Sequence, residues 1–502
     1  MTRDKYRDKE YEGIAAFVGV SAPETPKYLL TNNFLLEYFE PAKETESIYE
    51  FKQFVRNEVL YTEDTVNEEL LQKSFDRFLK RYLGEESITE GNHRLVKSKH
   101  YYFPLVPEML TGSTMRLRHL LYYLQALDKK FDFDGVQRKL ADFIFNDNSG
   151  INHLLKVLLQ NEENTLKFTK KKGIEDVNNF WNMLTQPMKR RMERLGMQLN
   201  EDLDVLLTHD YFRKLDFYRR YNYLSILLTS YVIQYIVCRK GDNIGILCKG
   251  NSQDESLTWL FHRACCNNYI EIRNLFSDLL REYYGTAIRQ WLGEEKEGLV
   301  LKAEKDQVEI EDVSFNIFVE QVLMAGRKMR TSIDTAQIKK IYALEEEKEK
   351  LVSIDEFVLR YIDMTGTRRG STLTKISSVL PTSGRQIEMI FPNSNARNKY
   401  FAMSGSLTEF YVRLYLAGRK QKYDYLDNFI AHLRNRYRIL LVKSIEGDRL
   451  LKNAKPKLSA KDFAKNKEAF MNTLSNANCL IKLSDSGYVI TLPEQKGDLK
   501  LL

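Results

Sequence analysis

The chain has 502 residues, 43% apolar and 29% charged, ordinary globular usage and enough for two to four domains of ~150 residues. Tyr (29) and Phe (27) are abundant while Gly (24) and Pro (10) are scarce, which excludes collagen-like, wholly disordered and many-turned β chains and favours long packed helices. The net charge of +7 is uneven, because residues 361–470 hold 21 Lys/Arg against 9 Asp/Glu and leave the remainder net negative. A basic block on an acidic body suits a polyanionic partner.

Residues 1–112 read as a mixed, mostly helical first region. Gly19 to Pro26 is a loop, and helical patterns follow at Ser47–Val59 and Thr65–Tyr82, the second carrying Leu70, Leu71, Phe75, Phe78 and Leu79 as one stripe. His93 to Leu105 is short, basic and aromatic, a strand or a loop. The first eight residues are charged and lack the apolar stretch of a secretory leader.

Residues 113–350 read as a central helical domain. Leu117, Leu120, Leu121, Leu124 and Leu127 form one apolar stripe, and Val177–Leu199 and Asn200–Cys238 continue the helical pattern. The longest apolar run, Tyr223–Cys238, is broken by Ser225, Thr229, Ser230 and Gln234. It falls short of the ~20 residues that span a bilayer, so a buried helix is expected and no membrane partner. Eight aromatics lie between Tyr211 and Tyr235 with Arg213, Arg219 and Arg220 among them. Base stacking is one reading of such a run; core packing is the commoner one at helical spacing, with Arg219 and Arg220 on the solvent face. Lys240–Asn243 separates two β-prone runs, where a hairpin competes with a helix ending at Gly241. Val300 to Phe315 alternates and reads as a small hairpin.

Residues 351–502 read as a basic C-terminal domain. Ser406 with Glu409 fits a capping box, Asp424 opens a second helix, Ile439–Val442 suits a strand, and Ser459 with Asp462 starts a third helix. On that helix Phe463, Phe470, Leu474 and Ala477 share one face, and at ~100° per residue Lys461, Lys465, Glu468 and Asn472 share the other. Two apolar runs, Cys479–Leu483 and Tyr488–Leu492, flank a Ser-Asp-Ser-Gly turn and form a hairpin. The whole is expected to be mainly α and multi-domain, ending in a small winged-helix-like α+β module.

A winged helix can lay its last helix in the major groove, with lysines on phosphates. The nucleic-acid candidates are therefore Lys461, Lys465 and Asn472, with Arg434 and Arg436 on the helix before. Arg368 and Arg369 join them from Gly366–Gly370, which is either an anion-holding loop or a basic turn. Many winged helices bind proteins instead, and Glu468 interrupts the positive face.

The five cysteines, Cys238, Cys248, Cys265, Cys266 and Cys479, are an odd number in a large chain, as in reduced cytoplasmic proteins. Cys248, His262 and Cys265 are weak zinc candidates; no Cys-x-x-Cys is present, and ordinary buried cysteine is the commoner reading. His209-Asp210 matches the central pair of a phosphohydrolase, with His119 and His153 elsewhere. Glu294-x-Lys296 and Glu346-x-Lys348 match part of a nuclease, but both sit in solvated helical segments, whereas that chemistry holds Mg²⁺ from a strand. No P-loop, Gly-x-Ser-x-Gly or His-Glu-x-x-His is present. No catalytic residue and no cofactor is expected.

Three segments carry a resemblance: Asp210–Ser225 ahead of a long apolar helix, Lys399–Ser404 running into Leu407–Leu414, and the closing Leu483–Val489. Together they resemble the non-ATPase subunits of bacterial defence-island systems, of the DptG type from DNA phosphorothioation-dependent restriction. The resemblance implies a cytoplasmic accessory subunit of an anti-phage complex. It would act on DNA beside an ATPase and a HerA-like helicase that supply energy and cutting. The alternatives are a metal-dependent nuclease or phosphohydrolase, and a winged-helix structural subunit of an SMC-like complex.

Overall fold

The computed structural model describes residues 30–31, 34–35, 37–39, 85–90, 93–98, 115–145, 186–241, 244–251, 257–275, 307–309, 351–353, 380–392, 398–450, 457–483 and 487–496. In chain order these form β1 (Glu85–Glu90), β2 (His93–Ser98), α1 (Met115–Ala126), α2 (Phe133–Phe145), α3 (Gln186–Thr208), α4 (Asp210–Arg213), α5 (Phe217–Lys240) and β3 (Ile246–Lys249). Next come α6 (259–275), β4 (Gln307–Glu309), β5 (Leu351–Ser353), α7 (380–386), β6 (Ile390–Phe391), β7 (Tyr400–Ala402) and α8 (Gly405–Arg419). The chain closes with β8 (Tyr423–Tyr425), α9 (Leu426–Tyr437), β9 (Ile439–Leu440), α10 (Ile445–Leu450), α11 (Ala460–Asn476), β10 (Leu480–Lys482) and β11 (Tyr488–Thr491). The described residues are mainly helical, as expected, and the largest sheet among them has four strands. No helix among them is long and apolar enough to cross a membrane.

The chain divides into two compact units, one of residues 1–24 with 273–379 and one of residues 25–272 with 380–502. In the first unit β4 and β5 pair antiparallel, Val308 opposite Val352. The alternation after Val300 does give a strand, but its partner lies at Leu351–Ser353 and not in a local hairpin. The expected boundary at 350/351 falls beside residues outside the described ones.

In the second unit α5 is the axis. Nearly every residue from Tyr221 to Arg239 is buried, so the helix is apolar on all sides and must be surrounded by other elements. Asp216 caps its start by accepting from the Arg219 N–H at 3.0 Å, and it ends at Gly241, so the competing hairpin does not form. The aromatic run is core: Phe212, Phe217, Tyr221, Tyr231 and Tyr235 are all at most 4% exposed. Arg219 is exposed as expected, but Arg220 is buried, its guanidinium 5.7 Å from the Phe143 ring. α3 lays a stripe of Met192, Leu195, Leu199, Leu203 and Leu206 on this core. Gly196 allows α1 to approach, because a Cβ there would stand 2.0 Å from the Leu124 carbonyl oxygen.

Two small sheets complete the unit. One has the order β6-β7-β3-β9, with β3 parallel to both β7 and β9. All four residues of β3 are buried, the pattern of a strand covered on both faces. The other has the order β10-β11-β8, antiparallel throughout, with Leu480 opposite Ile490 and Ile490 opposite Asp424. The run at Ile439 joins β3, whereas the strand that joins the C-terminal hairpin is β8, placed before α9.

Candidate nucleic-acid interface

α11 starts as its residues dictate. Ser459 accepts from the Asp462 N–H at 3.2 Å, and Asp462 accepts from the Ser459 N–H at 2.8 Å, a reciprocal cap that satisfies two orphan donors. The Ser459 hydroxyl, then the Thr258 hydroxyl at 2.7 Å from Oδ1, hold the Asp462 carboxyl below its usual range.

The inner face of α11 carries Phe463, Asn466, Ala469, Phe470, Thr473 and Leu474, all buried. Asn466, fully buried, donates to the Cys248 and Leu441 carbonyls at 2.9 Å each and accepts from the Gly250 N–H at 2.8 Å. Thr473 donates to the Gly250 carbonyl at 2.8 Å. A Cβ at residue 250 would lie 2.4 Å from the Phe470 backbone nitrogen, so only glycine lets these two backbones meet. Phe470 stacks on Phe429 of α9, ring centroids 6.3 Å apart.

The outer face is as expected: Lys461, Lys465, Glu468 and Asn472 are exposed, while Ala477 is only half-buried. Lys467 stands to one side and pairs with Asp427 at the start of α9 at 2.5 Å. The hairpin after α11 places exposed Lys482 opposite Tyr488.

Asp424 organises the elements behind this face. It accepts from Tyr415 of α8 at 2.6 Å, from Asn428 of α9 at 2.9 Å and from the Tyr425 N–H at 2.7 Å. Burial pushes its carboxyl upward, but these bonds prevail and hold it below its usual value. Asp424 therefore precedes α9, which begins at Leu426. The cap of α8 is Ser404, accepting from the Leu407 N–H at 3.1 Å, and not Ser406. Ser406 bonds Glu388, and Glu409 faces Tyr223 at 3.1 Å and Arg413 at 3.0 Å.

The remaining candidates separate. Arg436 is directed inward, to Glu201 at 2.9 Å and Asp202 at 2.7 Å on α3. There Tyr231 and Tyr437 also donate to the Asp202 carboxylate, at 2.6 and 2.7 Å. Arg434 is half-buried and donates to Asn435. Neither shares the exposed face of α11. Arg368 and Arg369 lie outside the described residues, as do His153, Glu294, Lys296, Glu346 and Lys348.

Of the cysteine–histidine group, Cys265 lies beside Cys248 and Cys266. Cys248 and Cys265 are fully buried, their thiols pushed up by desolvation, and Cys266 lies 3.6 Å from the His262 Nε2. Cys265 and Cys266 belong to an apolar cluster with Leu247, Phe261, Ala264, Leu440 and Phe463. No group of three metal-ligating side chains occurs among the described residues. His209 caps α4, its Nδ1 accepting from the Tyr211 N–H at 3.2 Å.

Sequence reasoning overlooked Trp259 and Arg263. Trp259 is 65% exposed, and the Arg263 guanidinium lies 5.0 Å from its ring centroid. The signal available was the i, i+4 spacing of an aromatic and a cation at a helix start. No family model, curated protein or solved structure matches the chain.

Proposed function

We propose that this chain is a non-catalytic, nucleic-acid-binding scaffold subunit that works in the cytoplasm within an anti-phage defence complex. An ATPase and a HerA-like helicase would supply the energy, and the chain itself would neither hydrolyse nucleotide nor cut DNA. The defence assignment rests on the resemblance of Asp210–Ser225, Lys399–Leu414 and Leu483–Val489 to subunits of such systems.

The observation that carries the binding role is the arrangement of the last hundred residues. The chain order α8, β8, α9, β9, α10, α11, β10, β11, with β8 closing the hairpin into a three-stranded sheet, supports a reading of these elements as a winged helix. In that arrangement α11 is the helix offered to a groove and the β10–β11 turn is the wing. Its exposed side carries Lys461, Lys465 and Asn472, two phosphate partners and one group able to bond a base edge or sugar. The use of a winged helix as a protein-docking surface, as in an SMC-like complex, is favoured by Glu468 on the same face.

The test is a titration of a labelled random-sequence duplex across a range of salt. Changing Lys461 and Lys465 together to Glu should leave the fold intact, since exposed substitutions usually stay within ~0.5 kcal/mol. Affinity for DNA should fall well over tenfold, and the slope of log affinity against log salt should flatten by about 1.8, from ~0.9 per phosphate contact. Phe470→Ala, which opens a cavity in the core behind the same helix, should instead destabilise the folded unit by ~3–5 kcal/mol. A double Glu variant that binds DNA like the parent but no longer holds its protein partner would assign the face to protein docking.

A further inference from the structure

We propose that the basic face of α11 continues onto the start of α6, where Trp259 and Arg263 form a platform on which an unpaired base stacks. The nucleic acid held by this protein would then be single-stranded, or a duplex carrying a single-stranded segment. The proposal rests on the nucleic-acid reading of α11 and narrows it to a substrate class.

The two helix starts are joined by side chains. Thr258 caps α6 by accepting from the Phe261 N–H at 3.3 Å, and its hydroxyl donates to Asp462 Oδ1 at 2.7 Å, the same carboxylate that caps α11. One turn inward, the buried Phe261 and Phe463 rings meet at right angles, centroids 5.7 Å apart. Trp259 follows Thr258 and Lys461 precedes Asp462, so the exposed indole and the exposed lysine flank one hydrogen bond.

Trp259 is unusually exposed for so large an apolar ring. An indole contributes most when its large apolar area is removed from water, yet this one is 65% exposed. What holds it is a cation: Arg263, itself exposed, sits one turn on with its guanidinium 5.0 Å from the ring centroid. An aromatic ring steadied by arginine is the arrangement that accepts bases in single-strand binding, because every base has a π-face and the cation attracts the neighbouring phosphate. Lys461 and Lys465 extend that positive field along the strand. The positive charges of Arg263, Lys461 and Lys465 disfavour a basic protein partner. Bases inside an intact duplex are already stacked on one another and cannot reach the ring, so the platform adds affinity only where bases are free.

The experiment compares a fluorescently labelled single-stranded oligonucleotide with the duplex of the same sequence, using the full chain. Trp259→Ala should weaken single-strand binding by about tenfold or more, the worth of one stacked base, and leave duplex binding within roughly twofold. Trp259→Phe should recover much of the loss, and the quenching of protein fluorescence by the single strand should shrink in that variant. Circular dichroism of each variant should match the parent, because residue 259 is exposed. Equal losses on both forms, or none on either, overturn the platform. If Lys461→Glu with Lys465→Glu abolishes binding to both forms while Trp259→Ala spares both, the α11 reading survives and only the platform falls. If the parent binds neither form, both readings fall; loss of a protein partner alone in Trp259→Ala assigns the patch to protein.

Discussion

At the scale of the residue, charge counts and charge roles diverge. Part of the basic surplus of residues 361–470 is consumed inside the fold. Arg413, 1% exposed, pairs with Glu409 and Glu494, Arg436 pairs with Asp202, and Arg438 donates to the Gly241 carbonyl at 2.7 Å. Among the described residues, what remains outside is chiefly lysine, as a long stem with a strongly hydrated head prefers. Sequence alone could separate Lys461 and Lys465 from these arginines because helical periodicity placed them opposite Phe463 and Phe470. No comparable rule separated Arg436, whose buried acid lies far away in sequence on α3. The same neighbourhood yields a pH prediction. His432 packs against the Tyr415 and Tyr437 rings at 4.7 and 5.7 Å. Burial first, then Arg436 and Arg419, push its imidazole down from 6.5 to about 4. The folded value lies below the unfolded one, so between them the unfolded chain binds the extra proton. The stabilisation is therefore complete above pH 6.5 and is lost as pH falls through about 4. His432→Gln should flatten urea-unfolding stability over that window, by on the order of 2 kcal/mol after allowance for partial exposure. An unchanged pH slope in the variant would place the acid lability elsewhere.

At the scale of the element, helices were legible where one face repeats and obscure where ends are set by distant partners. α11 was read with its cap, inner face and outer face because Ser459, Asp462 and the apolar spacing are all local. α8 was read with its cap two residues late. Ser406-x-x-Glu409 looks like a capping box, but Glu409 is drawn to Tyr223 and Arg413 from other helices and Ser406 to Glu388, which leaves the role to Ser404. The ends of α8 and α9 lack the usual glycine, since Lys420 and Arg438 themselves take φ of 56°. Short strands were the hardest. β8 and β9 have three and two residues, too few for alternation to show, and their partners follow from tertiary pairing. The join between α11 and the end of β3 runs through Asn466 and Thr473, with Asn466 making the larger share of the bonds. Asn466→Ala would strip partners from the Cys248 and Leu441 carbonyls and the Gly250 N–H, all bonded to it now. Each unsatisfied buried group costs about 1–3 kcal/mol, so a loss of several kcal/mol is expected in denaturant unfolding. Asn466→Asp keeps the acceptor and forfeits both donors, and should be at least as damaging. A loss under ~1 kcal/mol would mean that water reaches the gap and the clamp is weaker than its geometry.

At the scale of the whole molecule, composition drew a line that folding crosses. The basic region after residue 350 reads as a separable module, yet its sheet is built around a strand from elsewhere. β3 lies between β7 and β9 and pairs with both in parallel, and it arrives directly from α5 by way of Gly241. Ile246, Leu247 and Cys248 are fully buried, and Gly250 is gripped by Asn466 and Thr473. A parallel pair cannot be closed by a hairpin, so no local signal in either segment announces the partnership. The physical consequence is that α11, with its exposed lysines, is not a tethered reader but one wall of the unit that contains α3 and α5. A piece comprising residues 380–502 would present the Asn466 and Thr473 side chains and the edges of β7 and β9 to water with no strand to satisfy them. Such an edge favours association. We therefore expect that piece alone to aggregate or to show broad, non-cooperative thermal unfolding by circular dichroism. The full chain should instead lose its α11 face and its α5 core in one transition when both are followed in urea, α11 through a fluorophore at an exposed site such as Glu468→Cys. Co-expression of residues 186–275 with residues 380–502 should restore a soluble pair, because it returns α3, α5, β3 and α6 together. A 380–502 piece that unfolds cooperatively on its own and binds DNA like the full chain would show instead that the C-terminal elements are self-sufficient and that β3 is an accessory strand.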